Sequence, residues 1–230
     1  MLQKGNIYIP KRRTLSDVEN AIVLVSKKGG RGFLVSGNLI ITAAHCIDYS
    51  TNGQMMLGDL YIENIKTAKG EIKASPLAVE PVSDIAVLGS LDSQAFADDA
   101  DRFDRFCECT KPVLLCTKDF DLFKKFPVYI SNHDGKWVRG MATQWNTNAN
   151  ALAIEADEQI EGGASGGPII TESGELVGIV SQFNESHGDG KCDGMTPRPH
   201  ISLPVWVCRK ILGPKGGLWT PRLKQRRTLK

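Results

Sequence analysis

Apolar and β-branched residues come in short runs along this chain, each stopped by glycine, asparagine, aspartate or serine, from about Ala21 to Leu203. The runs RGFLVS and LIITA flank Gly37-Asn38, the pattern of a two-residue β-hairpin. Further on, FPVYIS and WVRGMAT flank a loop containing Asp134-Gly135. ALAIEA precedes a glycine cluster, and ELVGIVSQ follows it after a Ser173-Gly174 turn. Such a cadence of short strands favours all-β barrels or sandwiches over alternating strands and helices.

Two segments break the cadence. AFADDADRFDRFCECT, from Ala95 to Thr110, is charged with apolar residues at helical spacing, which predicts a helical connection between two β halves. PVWVCRKIL, from Pro204, has proline in a first turn and basic residues late, which predicts a closing helix.

Composition narrows the picture a little. With 41% hydrophobic and 23% charged residues, the 230-residue chain has the make-up of a globular protein with a sizeable core. Its net charge of +2 is uneven. Residues from Pro214 onward carry six Lys/Arg and no Asp/Glu, leaving 22 basic against 26 acidic residues in the body. A mildly acidic body with a solvated basic tail makes nucleic-acid binding a minor expectation. No apolar run reaches membrane-spanning length, and the N-terminus shows no secretory h-region, so no membrane association and a cytoplasmic location are expected. That setting favours reduced thiols for Cys46, Cys107, Cys109, Cys116, Cys192 and Cys208. The Cys107-x-Cys109 pair with Cys116 lacks paired CxxC spacing, and the aspartates of NESHGDGKCDG follow no EF-hand pattern. Neither metal nor any other cofactor is expected.

The chemistry lies in three short patterns. ITAAHC sets His45 directly after a strand, SDIAVL sets Asp84 at the entry of another, and GASGGP surrounds Ser165 with glycine. A histidine after a strand, an aspartate before an apolar run and a serine in a glycine-rich turn are each commonly structural. Their occurrence in this order, 39 and 81 residues apart, is hard to reach by chance. Serine becomes a competent nucleophile when a base takes its proton, and histidine titrates in the range that lets it accept and return one. An aspartate orients the imidazole.

With these residues the chain resembles the trypsin/chymotrypsin-fold serine proteases, in the bacterial-type branch that includes the HtrA-like proteases. The resemblance runs from about Gly29 to Leu212 and rests on GFLVSGNLIITAAHC, ADEQIEGGASGGPI and ISLPVWVCRKIL. A PDZ domain after the last of these is not expected. The resemblance implies two perpendicular six-stranded antiparallel β-barrels, with a short helix between them and another at the C-terminal end. On that pattern residues 1–14 form an N-terminal extension and 15–105 a first barrel carrying His45 and Asp84. A second barrel with the terminal helix spans 106–213, and 214–230 is the basic tail. His45, Asp84 and Ser165 are then the triad of an endopeptidase acting on polypeptides. The backbone N–H groups of Gly163 and Ser165 form the oxyanion hole, and Ser181 supports Asp84.

Ala164 stands where the digestive branch carries the aspartate that pairs with a new N-terminus. Activation through that ion pair is therefore not expected, and a regulatory protein partner is a candidate trigger. Substrate binding is expected to involve Gln159 at the pocket base, Gln182 and Phe183 on the strand pairing with substrate, and His200 on a pocket wall. A neutral Gln159 argues against Arg/Lys selection. His133 and His187 are expected to be surface residues. The alternative expectation is a catalytically latent protease-fold module for binding or signalling.

Overall fold

The computed structural model describes residues 14–47, 62–80, 84–116, 120–121, 123–144, 151–181 and 199–201. The N-terminal extension except Thr14, the helix expected from Pro204 and the basic tail lie outside them. A short helix, α1 (Leu15–Glu19), opens the described chain. Thr14 caps it, accepting from Asp17 N at 3.1 Å while the Asp17 carboxylate accepts from Thr14 N at 3.3 Å, a reciprocal capping box.

Six strands then close a barrel: β1 (Ile22–Val25), β2 (Arg31–Val35), β3 (Leu39–Ala43), β4 (Glu63–Thr67), β5 (Gly70–Glu80) and β6 (Ile85–Gly89). Their order around it is β1-β2-β3-β6-β5-β4, and pairing of β1 with β4 seals the ring. Closure leaves no sheet edge to pair with another chain. The β2–β3 hairpin pairs Val35 with Leu39, so its loop has three residues rather than the two expected. Gly37 and Asn38 both take positive φ there (91° and 58°), a backbone that these two residue types tolerate best. In β5 the register slips between Pro76 and Ala78. Proline has no N–H to give the ladder, and the bulge turns Leu77 out to solvent.

The expected helical connection is α2 (Ala97–Glu108), two residues shorter at each end than the apolar spacing predicts. Ala100, Phe103, Phe106 and Cys107 form its buried face. The helix runs across positions 105 and 106, the expected division between the two halves.

Seven more strands follow: β7 (Leu114–Leu115), β8 (Lys125–Ser131), β9 (Trp137–Gln144), β10 (Ala151–Ala156), β11 (Pro168–Thr171), β12 (Glu175–Ile179) and β13 (Pro199–Ile201). They form one sheet in the order β13-β10-β9-β8-β11-β12-β7. The second half is therefore a seven-stranded sheet among the described residues, where six strands in a barrel were expected. Six of its strands roll up, bringing β12 and β13 within 8 Å between Cα atoms, and β7 is added beside β12 in parallel.

The described residues form two buried clusters. The larger joins Phe33, Leu34, Ile40, Ile41 and Leu88 of the barrel to Phe103 of α2 and to Ile170, Leu176 and Ile179 of the sheet. The smaller lies within the sheet around Val128, Ile130, Ile154, Ala164 and Ile169. No helix among the described residues is long and apolar enough to cross a membrane.

Candidate active site

Strand register brings the first two chemical residues together. Ala43 of β3 pairs with Ile85 of β6 in antiparallel register. His45 follows one of those strand ends and Asp84 precedes the other, so residues 39 apart in sequence become neighbours. His45 Nδ1 and Asp84 Oδ2 lie 2.7 Å apart, and His45 N donates to Asp84 Oδ1 at 3.0 Å. Ala44 N donates to the Asp84 carbonyl at 3.0 Å. Asp84 holds φ at 53°, a left-handed conformation whose cost is offset by the donors gathered around its carboxylate. The third of those donors is the Ser181 hydroxyl, which bonds Asp84 Oδ2 from just beyond β12.

Ser165 lies in a turn between β10 and β11 that is stitched on both sides. Arg31 N donates to the Ser165 carbonyl at 2.7 Å, Gly166 N to the Val180 carbonyl at 2.6 Å, and Val180 N to the Gly167 carbonyl at 2.9 Å. Ser165 Oγ donates to the Ser181 carbonyl at 3.3 Å. No hydrogen bond joins that hydroxyl to the His45 ring among the described residues. Ser181 thus touches both sides of the site, through its hydroxyl to Asp84 and through its carbonyl to Ser165. Ala164 is fully buried in the sheet's own cluster.

Two glycines in the turn are there for different reasons. Gly163 takes φ 90°, strained for any L side chain, although a Cβ placed there would meet only the Cβ of His133, at 3.5 Å. At Gly166 a Cβ would collide with the Arg31 carbonyl oxygen and lie 2.5 Å from Thr42 Oγ1. Among the described residues, neither Gly163 N–H nor Ser165 N–H donates to a protein acceptor. Two such donors at a tight turn beside a serine suit stabilisation of a developing oxyanion.

The electrostatics follow from these contacts. The hydrogen bond to Asp84 raises the His45 pKa above its ordinary value, helped by the Cys46 side chain and opposed by partial burial. Burial works to raise Asp84, but hydrogen bonds from His45 and Ser181 outweigh it and hold the carboxyl below its ordinary value. The imidazole stays 43% exposed while the carboxylate is only 10% exposed, so solvent reaches the ring far more than its carboxylate partner.

The remaining expected residues fare unevenly. Gln159 is exposed, and its carbonyl accepts from Asn132 Nδ2 at 3.3 Å. His200 lies on β13 opposite Leu152, with its side chain outside what is described. Gln182, Phe183, His187, the NESHGDGKCDG loop, Cys192 and Cys208 lie outside the described residues. Cys46, Cys107 and Cys109 are free thiols, and burial with nearby Asp104 and Glu108 pushes the Cys107 thiol up to about 12. No group of three His, Cys, Asp or Glu side chains among the described residues is placed to hold a metal.

Sequence patterning missed three residues that support the turn. Arg31 is buried beneath it, Asn132 bridges toward it, and His133 stands against Gly163, with its ring 3.5 Å from Glu161. A charged residue opening an apolar strand and an asparagine in a polar hairpin carry no local signal of such roles.

A family model described as Trypsin matches residues 16–99, a stretch that holds His45 and Asp84 and ends before Ser165. No curated protein matches the sequence. Among solved structures, the active form of the Rv3671c protease from M. tuberculosis is similar with a TM-score of 0.56 at 15% identity, covering 91% of this chain and 86% of that one. Its inactive form gives a TM-score of 0.52, also at 15% identity, over 87% and 91% of the two chains. At that identity the likeness is one of fold.

Proposed function

We propose that this chain, which has the trypsin/chymotrypsin fold of serine proteases, is a serine endopeptidase with His45, Asp84 and Ser165 as its catalytic triad. The hydrogen-bonded run from His45 through Asp84 to Ser181, with Ser165 held against Ser181, is the observation that carries the reading. His45 Nε2 takes the Ser165 proton as Oγ attacks the scissile carbonyl, then returns it to the leaving amine. Asp84 holds the tautomer with the proton on Nδ1 and stabilises the imidazolium. The Gly163 and Ser165 N–H groups receive the oxyanion, and their lack of other acceptors among the described residues supports that role. Polypeptide is the substrate class the fold implies. Buried Ala164 offers no carboxylate to a newly released amine, so ordering of the turn does not run through such an ion pair.

Replacing Ser165 with alanine removes the nucleophile while leaving the turn's backbone bonds in place. Hydrolysis of denatured casein and labelling by a fluorophosphonate should both vanish, with the melting curve unchanged. Persistent turnover by folded Ser165→Ala would sink the assignment.

One observation favours a second reading, a latent module that a partner switches on: Ser165 Oγ is turned to the Ser181 carbonyl and not to the imidazole. Catalytic hydrogen bonds commonly tighten only when substrate binds, so this orientation of the free hydroxyl is compatible with either reading. Labelling of the isolated wild-type chain at Ser165 selects the endopeptidase; a folded chain that stays unlabelled selects the latent module.

A further inference from the structure

Arg31 opens β2 and is 8% exposed, although it carries a charge. Burying a guanidinium without a carboxylate partner is costly. No close ion pair is made by Arg31 among the described residues, the Asp134 carboxylate favouring its charge only from further off, and its Nε finds no acceptor there. What it does make are three links around the nucleophile turn. Its N–H donates to the Ser165 carbonyl at 2.7 Å, its carbonyl accepts from Thr42 Oγ1 at 2.6 Å, and its Nη2 donates to the His133 carbonyl.

The next residue in the chain of contacts is Asn132, also 8% exposed. Its Oδ1 accepts from His133 N at 2.8 Å and Glu161 N at 3.2 Å, and its Nδ2 donates to the Gln159 carbonyl at 3.3 Å. A continuous path therefore leads from the first barrel through Arg31, the 132–133 backbone and Asn132 to residues 159–161. That segment runs straight into Gly163 and Ser165. Both ends of the turn are held, one by Asn132 and the other by the Arg31 and Val180 backbone.

We propose that Arg31, acting through His133 and Asn132, is a positioning residue that clamps the Gly163–Ser165 turn in an oxyanion-ready shape. It touches neither substrate nor reacting atoms. Its buried guanidinium supplies, from within the folded chain, the restraint that keeps the two N–H groups aimed. Without it the His133 carbonyl loses its donor, the 132–135 loop shifts, and Gly163 loses its support. The catalytic part of this inference rests on the endopeptidase reading; the structural part does not.

Arg31→Met, Arg31→Lys and Asn132→Ala in the full chain test it with two readouts. Hydrogen exchange at residues 159–167 reads the clamp without turnover, and should quicken by ~10-fold or more in Arg31→Met while the barrel strands stay protected. Kinetics on the best-cleaved casein peptide should show kcat falling ~10²-fold as the N–H donors move, with KM held. Affinity for a peptidyl trifluoromethyl ketone, a mimic of the tetrahedral state, should fall in step with kcat. Arg31→Lys keeps the charge on a single-point donor and should lie between wild type and Arg31→Met.

Unchanged exchange at 159–167 in a folded Arg31→Met protein overturns the clamp. Quickened exchange with wild-type kcat and inhibitor affinity overturns its catalytic part. If wild type proves inert and unlabelled while exchange still quickens in the variant, the clamp stands and the endopeptidase reading fails. Should Arg31→Met not fold, Arg31→Lys and Asn132→Ala report on the same amides by the same criteria.

Discussion

Asp84 has a buried carboxylate at a left-handed backbone position, with donors from the His45 ring, the His45 backbone and the Ser181 hydroxyl. Each donor offsets part of the cost of burying the charge. Asparagine tolerates the same backbone and fills the same volume, so Asp84→Asn should fold. Its kcat should drop by ~10⁴, because an amide no longer enforces the imidazole tautomer that accepts the serine proton. The pH response has a definite sign. With its pKa raised in the fold, His45 contributes stability that is present below its unfolded value near ~6.5 and is lost as pH rises through the folded value. Asp84, lowered in the fold, contributes stability present above its unfolded value near ~3.9 and lost as pH falls through the folded one. On the proposed endopeptidase reading catalysis needs neutral His45, so kcat/KM should climb over the alkaline range where the pair's stability declines. Thermal melts and pH–rate profiles of wild type and Asp84→Asn check this; a wild-type rate already level below pH ~6 would contradict the raised pKa. His45, Asp84 and Ser165 could be singled out from the sequence because the proposed chemistry demands those side-chain types in that order. Arg31 and Asn132 could not, since their partners lie far away along the chain.

At the scale of the element, the turn around Ser165 separates two demands that look alike in GGASGG. Gly163 answers to backbone angle and Gly166 to space. Gly163→Ala meets little steric obstruction, so it should cost ~1–2 kcal/mol of stability through left-handed strain. Its activity loss should be out of proportion, ~10²–10³ in kcat, as the 163 N–H swings away from the oxyanion. Gly166→Ala instead drives a methyl into β2 and β3 backbone and should lower the melting temperature well beyond Gly163→Ala, or abolish folding. Equal melting temperatures for the two variants would show that space at Gly166 is not the constraint. Other elements show the same division between local and distant causes. The helix over Ala97–Glu108 was legible because its apolar spacing is intrinsic, while its N-terminal end was overestimated because Ala95 N and Phe96 N bond the Asp92 carbonyl in a preceding turn. The β5 bulge was not legible, because a bulge is defined by what the partner strand β6 opposes to it.

Across the whole molecule, the larger buried cluster crosses from the barrel to the sheet, joining Phe33 and Leu34 to Ile170, Leu176 and Ile179. Val113 N also donates to the Leu34 carbonyl at 2.8 Å, extending β2 toward the second half. Two halves that share a core should melt together, so far- and near-ultraviolet circular dichroism should trace one coincident thermal transition. Two separated transitions would mean that the shared cluster contributes little. By itself the sequence determined the β class and the linking helix, and it singled out His45, Asp84 and Ser165 as candidates for acyl transfer, because short-range patterning and side-chain chemistry act at the level of residue type. The family resemblance extended this to a barrel-based architecture. Only the tertiary structure decided that the described strands of the second half form a seven-stranded sheet, that Ser181 joins Asp84 to Ser165, and that a buried arginine underlies the turn. Those outcomes depend on register and burial between segments far apart along the chain, where the partner of a side chain is chosen by the fold and not by its neighbours.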